Sequence, residues 1–181
     1  MPPDPAAFAE RGWCRLGPDP ALLAWVEHVR PVAAGLARTH RAQWLRAAGT
    51  WFAGVNILPN DPSGAVTSGP PLPPGLTARI ARLTGFPAWE WDQGQISICH
   101  PGYPGRDPAE SEAAFRYRRD RDAAHLDGLL AEGTAKRRFL REHHAFLLGI
   151  PLTETSPGAA PFVLWEGSHR LMRAAFAEVF A

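Results

Sequence analysis

Nineteen prolines in 181 residues set the strongest limit on this chain. Each fixes φ, removes a backbone donor and interrupts long helices and central strands. Pro2, Pro3 and Pro5 give a loose start, and Pro18 and Pro20 frame Asp19 as a helix-cap candidate. From Ala21 to about Arg46 the pattern is helical, with Leu22, Leu23, Val26, Leu36, Trp44 and Leu45 apolar. Pro31 is expected to divide this stretch by opening a second helix. Trp51 to Leu58 predicts a strand or extended buried segment that stops at Pro59-Asn60-Asp61-Pro62. Residues 59–75 hold six prolines and three glycines, which predicts a loop. Leu76 to Leu83 predicts a short helix, with Thr77 at its start and Gly85 beyond its end.

The second half changes character. Trp89–Cys99, Phe115–Asp122, Ala145–Thr153 and Pro161–Trp165 are expected as strands between Gly, Pro and Asp clusters. Gly167–Ala181 returns to a helical stripe of Leu171, Met172, Ala175, Phe176 and Val179. Helices followed by irregularly spaced strands predict an α+β fold, with helices against a β-sandwich or barrel. The strands lie too close together for helical crossovers, which argues against a doubly wound parallel sheet. Neither GxGxxG nor GxxxxGK[ST] occurs, so the phosphate-cradling loops of nucleotide enzymes have no support.

Composition narrows the classes further. With 45% hydrophobic and 20% charged residues, the chain is expected to fold as one globular domain over 1–181. Residues 1–88 form its helical and loop layer, and residues 89–181 its β core. Trp13, Trp25, Trp44 and Trp51 are expected to fill the core of the first layer. The net charge is +1, which offers no global attraction for nucleic acid or an anionic membrane. There is no apolar run of transmembrane length and no export signal, so a cytoplasmic protein acting on a small molecule is expected. Cys14 and Cys99 fit no zinc spacing and are expected as reduced thiols. The basic residues are arginines except for Lys136, a bias that a GC-rich genome explains. Lys136 to Arg141 is offset by neighbouring acids and is expected as a solvated loop.

The segment with chemical content is Asp122-Ala123-Ala124-His125-Leu126-Asp127-Gly128. At the end of a strand, side chains at i and i+2 point the same way, so His125 and Asp127 can converge on one ion. One imidazole and one carboxylate make two-thirds of the facial triad that holds non-heme Fe(II). The spacing alone fits a surface His beside a turn Asp equally well. Context adds Gly128 directly after the pair, an apolar segment over 146–153, and a further strand closing in Glu166-Gly167-Ser168-His169.

In this order and spacing the residues resemble the phytanoyl-CoA dioxygenase-like family over about residues 90–181, although Glu166 stands where that pattern usually has proline. The resemblance implies a double-stranded β-helix (jelly roll), here incomplete, with an N-terminal helical layer. It also implies hydroxylation of a small molecule with Fe(II) and the co-substrate 2-oxoglutarate. It assigns the metal to His125 and Asp127, and gives His169 a loop-shaping role. The distal His and the Arg that pairs with 2-oxoglutarate would fall beyond Ala181. The resemblance therefore implies a C-terminally truncated member with weak iron binding, little turnover and unpaired sheet edges. His100, His143, His144 and His169 are the imidazoles left to complete a triad, and no spacing rule selects among them. On an unbroken strand Phe115, Tyr117, Arg119, Arg121 and His125 would share a face, which makes Tyr117 and Arg119 candidates for contacting the anionic co-substrate. Two other readings fit the same residues: a non-catalytic jelly-roll module that binds small molecules, and a cupin-type metalloenzyme that does not use 2-oxoglutarate.

Overall fold

The computed structural model describes residues 4–121, 125–142, 144–156, 159 and 162–180. The chain divides into two compact units, residues 1–105 with 151–181, and residues 106–150. Among the described residues the fold is α+β, with helices and two small antiparallel sheets and no closed barrel.

In the first unit, helix α1 (Pro5–Arg11) starts where the Asp4 carboxylate accepts from the Ala6 N–H at 3.1 Å, with Pro5 in the first turn. Helix α2 (Pro20–Thr39) repeats the arrangement, Asp19 accepting from Ala21 N–H at 3.0 Å. Pro at the first helical position forfeits only a donor that would be unpaired anyway. The expected break at Pro31 is absent, and α2 runs straight through it. Trp25, Val29 and Ala33, spaced one turn apart, are buried on one stripe, and this burial outweighs the hydrogen bond that Pro31 denies Glu27. Helix α3 (Arg41–Trp44) is a single turn. Helix α4 (Pro74–Thr84) contains the expected Leu76–Leu83 segment, buries Leu76, Ile80 and Leu83, and ends at Gly85 with φ 77°. Asp19 also ties α4 to α2, its second oxygen meeting Arg79 at 2.7 Å.

Strands β1 (Leu45–Arg46), β2 (Trp51–Gly54) and β3 (Ile96–Cys99) form one sheet in that order, with Phe52 opposite Leu45 and Ile98. Both flanking expectations shrink to these four-residue strands. After Gly54 the chain turns through Asn56, at φ 51°, a left-handed backbone that ends a ladder. Residues 89–94 are held outside a ladder: Asn60 accepts from Gly94 N–H at 2.8 Å and donates to Asp92 O at 3.0 Å, and Trp91 N–H donates to Pro62 O at 3.0 Å. Trp89 and Trp91 meet edge to face at 5.4 Å outside any strand.

The proline-rich loop supplies core. The Trp25 indole donates to Gly64 O at 2.9 Å, and the His28 ring donates to Val66 O at 3.0 Å. Val66 and Leu72 are buried beneath it. Of the four tryptophans expected in the core of the first layer, only Trp25 is fully buried. Helix α6 (Ser168–Phe180) forms as expected, but only Met172 and Phe176 of its apolar stripe are half-buried, and Leu171 and Val179 stand exposed.

In the second unit, residues 115–121 of the expected Phe115–Asp122 strand depart from expectation, and Asp122 lies outside the described residues. Residues Glu112–Asp120 are helix α5, capped by Ser111, whose hydroxyl accepts from Ala114 N–H at 3.2 Å. A Ser cap, Glu112 in the first turn and Arg118 and Arg119 in the last favour helix over the weak alternation. Residues 129–140 form a hairpin of β4 (Leu129–Glu132) and β5 (Arg137–Leu140), with Leu129 opposite Leu140, so most of Lys136–Arg141, expected as a solvated loop, is a strand. The described residues of 145–153 and 161–165 form no strand. Apolar content without a neighbouring strand to complete a ladder does not make one, and Phe162 is 83% exposed. Among the described residues no helix is long and apolar enough to cross a membrane.

Candidate functional site

Gly128 organises the residues around His125 and Asp127. It has φ 81°, and a Cβ there would collide with the backbone carbonyl of Glu142. Only glycine tolerates both conditions, so the two chain segments close to backbone contact just before the hairpin begins. The Gly128 carbonyl accepts from Arg141 N–H at 2.9 Å, which extends the hairpin pairing by one residue. The strand expected to end at His125 and Asp127 is absent among the described residues: the pair lies in the connection between α5 and β4, and Gly128 precedes a strand instead of closing one.

His125 Nε2 lies 3.4 Å from Asp127 Oδ1. Two donors at adjacent corners of an octahedron, each about 2.1 Å from the ion, stand about 3.0 Å apart. The pair is thus within a small side-chain adjustment of a chelating bite. It is also open to solvent, with His125 77% and Asp127 49% exposed. Across the hairpin base a second imidazole–carboxylate pair mirrors the first, with His144 Nε2 3.3 Å from Glu142 Oε2. The His144 ring packs against Gly128. Among the described residues no three or more His, Cys, Asp or Glu side chains converge as metal ligands. His143 lies outside the described residues.

Tyr117 and Arg119 do not share a face. On α5, residues two apart point about 200° around the helix axis from each other, so the strand geometry that grouped them does not hold. Tyr117 is exposed and lies under the Arg121 guanidinium, 5.6 Å from its ring centre. Arg119 grips Asp120 through two hydrogen bonds of 2.6 and 3.1 Å, which holds the Asp120 carboxyl below its usual range.

The Glu166-Gly167-Ser168-His169 segment has a structural task. The Gly167 N–H donates to Arg11 O at 2.8 Å, and His169 Nε2 donates to Ala9 O at 2.9 Å. The Trp13 indole donates to Glu166 at 3.0 Å. The His169 ring fills the space beside Gly12, which takes φ 81° at the C-cap of α1. The segment therefore docks the end of the chain on α1. No sequence signal foretold that contact, because the partners lie about 155 residues apart.

One group of residues escaped the sequence reading as a set. A cleft of about 200 Å³ in the first unit is lined by Ala34, Ala37, Arg38, Arg41, Leu45, Phe52, Ile98 and His100. Its walls come from α2, α3 and all three strands of the larger sheet. The Ala34-Ala37-Arg38-Arg41 spacing is a helical stripe visible in the sequence, but the sheet residues opposite it are not. Compared with known family models, curated proteins and solved structures, the chain matches none.

Proposed function

We propose that the chain is an Fe(II)- and 2-oxoglutarate-dependent dioxygenase of the phytanoyl-CoA dioxygenase-like type, a type that hydroxylates small molecules, with weak iron binding and little turnover of its own. In this reading the β4–β5 hairpin belongs to a partial jelly roll, with residues 1–88 as its helical layer. The observation that carries the proposal is the 3.4 Å separation of His125 Nε2 and Asp127 Oδ1, close to a chelating bite on one metal ion.

His125 and Asp127 are the donors, and the fixed backbone at Gly128 holds Asp127 at the hairpin entrance. Fe(II), when bound, supplies the activation of dioxygen with 2-oxoglutarate as the co-substrate. His144 is the imidazole proposed to join the pair, and to do so its ring must leave Glu142. Arg119 can meet a co-substrate carboxylate only by releasing Asp120, so Tyr117 is the freer of the two candidate contacts.

The test is an anaerobic Fe(II) titration of the whole chain, followed by addition of 2-oxoglutarate. The expected result is weak 1:1 binding, with a weak visible charge-transfer band. Affinity should fall at least about tenfold in both His125→Ala and Asp127→Ala, as expected for loss of one ligand. Unchanged affinity in the two variants discards the proposal. The exposure of the pair favours a second reading, a non-catalytic small-molecule-binding module in which His-x-Asp is incidental. Binding of metal without a band on adding 2-oxoglutarate would instead point to a cupin-type centre.

A further inference from the structure

We propose that the cleft between α2, α3 and the β1-β2-β3 sheet is a binding site for a small organic oxyanion with an apolar body. The cleft takes a medium-chain acid, tail inward and head at the arginines. The site lies wholly within residues 34–100 and does not depend on the metal reading.

Three features of the lining carry the inference. The floor is apolar: Phe52, Ile98, Leu45, Ala34 and Ala37 all face the space. Alanine at 34 and 37 is what leaves the space open, since a larger side chain on that stripe would close it. The polar residues of the lining are Arg38, Arg41 and His100, with no acid among them. Six of the other sixteen arginines, Arg11, Arg79, Arg106, Arg118, Arg119 and Arg141, pair with a carboxylate. Arg38 and Arg41 form no ion pair among the described residues. Two arginines and a histidine in the lining of an apolar cleft suit a carboxylate or phosphate head.

A plainer account covers only part of this. Arg38 sits in the last turn of α2, where a cation complements the helix dipole whether or not a ligand binds. Arg41 belongs to the single turn of α3, so the same reason extends to it. The dipole does not explain why both line the same apolar space.

Size selects the ligand class. At about 30 Å³ for each water-sized group, a cleft of about 200 Å³ holds roughly seven such groups. An alkyl chain of about seven carbons fills it and leaves the head to the arginines. Carboxylate and phosphate monoester heads share the chemistry that the arginines recognise, so the probes are octanoate, octyl phosphate and the neutral 1-octanol.

Calorimetric titration of the whole chain, below the aggregation threshold of each probe, tests the proposal. Saturable 1:1 binding of octanoate or octyl phosphate is expected, with 1-octanol at least about tenfold weaker. The better of the two anions names the head group. The double variant Arg38→Ala/Arg41→Ala should lose at least about tenfold in anion affinity while keeping its melting temperature. Ala37→Leu should block all three probes with both arginines in place, and Ala34→Val serves the same purpose if that variant does not fold. Absence of saturable anion binding overturns the site, as does octanol binding as tightly as the anions or unchanged anion affinity in the double arginine variant. No metal takes part, so failure here leaves the His125–Asp127 reading intact, and the reverse also holds.

Discussion

Asp61 shows how a single side chain can turn a proline-rich stretch into ordered structure. Its Oδ1 accepts from Ser63 N–H at 2.9 Å, from the Ser63 hydroxyl at 2.6 Å and from Ala65 N–H at 3.0 Å. The Ser63 hydroxyl bond contributes most, and these bonds together hold the carboxyl below its usual range. A group whose pKa is lower folded than unfolded adds stability above its unfolded value, near 3.9. That stability is lost as pH falls through the lower folded value. Wild type should therefore exceed Asp61→Ala in stability at pH 7, and the gap should narrow below about pH 4. Urea unfolding at several pH values measures this, and a gap independent of pH contradicts it. At this scale much was legible. Asp19 and Gly85 announce helix ends because capping depends on residues one to three positions away. The role of His169 was not legible, because its neighbours Ala9 and Gly12 are local only in space.

At the scale of elements, Pro31 and α5 show why local signals fail in opposite directions. Pro31 is a true helix breaker in isolation, yet α2 continues because the Trp25, Val29 and Ala33 stripe is buried against the rest of the unit. The cost remains in the folded state. Proline in a helix interior is about 3 kcal/mol less favourable than alanine, while its stiffness removes about 1 kcal/mol of unfolded-chain freedom. Pro31 is exposed, so Pro31→Ala should stabilise the first unit by about 2 kcal/mol. Chemical denaturation checks this, and a loss of stability would show that the proline ring packs usefully. In α5 the error runs the other way: Phe115, Tyr117, Arg119 and Arg121 alternate by chance, while Ser111 and Glu112 carry the decisive signal just before them. The β4–β5 hairpin was hidden because its second strand, Arg137 to Leu140, reads as charge. An exposed Arg141–Glu132 fork, with one arm at 2.9 Å, links its two sides. These two misreadings bear on the candidate site, since α5 precedes His125 and the hairpin follows Asp127.

At the scale of the whole molecule, burial is distributed unequally. Every buried hydrophobic side chain among the described residues, from Trp25 to Ile96, belongs to the first unit. The second unit holds α5 and a two-stranded sheet with exposed Leu130 and Phe139. An isolated hairpin is marginal in water, and solvent-screened surface ion pairs such as Arg118–Glu110 and Arg141–Glu132 add little. Local opening free energy follows buried apolar contact, so the two units should not exchange amide hydrogens alike. Amides of α2, α4 and β2 are expected to exchange only through global unfolding, while those of β4 and β5 exchange through local opening at least about a hundredfold faster. Hydrogen exchange read by mass spectrometry resolves the two regions. Fe(II) offers a control on the same measurement: if it binds His125 and Asp127, it should slow exchange at the hairpin base around Gly128 and leave α2 unchanged. Equal protection across both units would contradict the link between buried apolar surface and local opening.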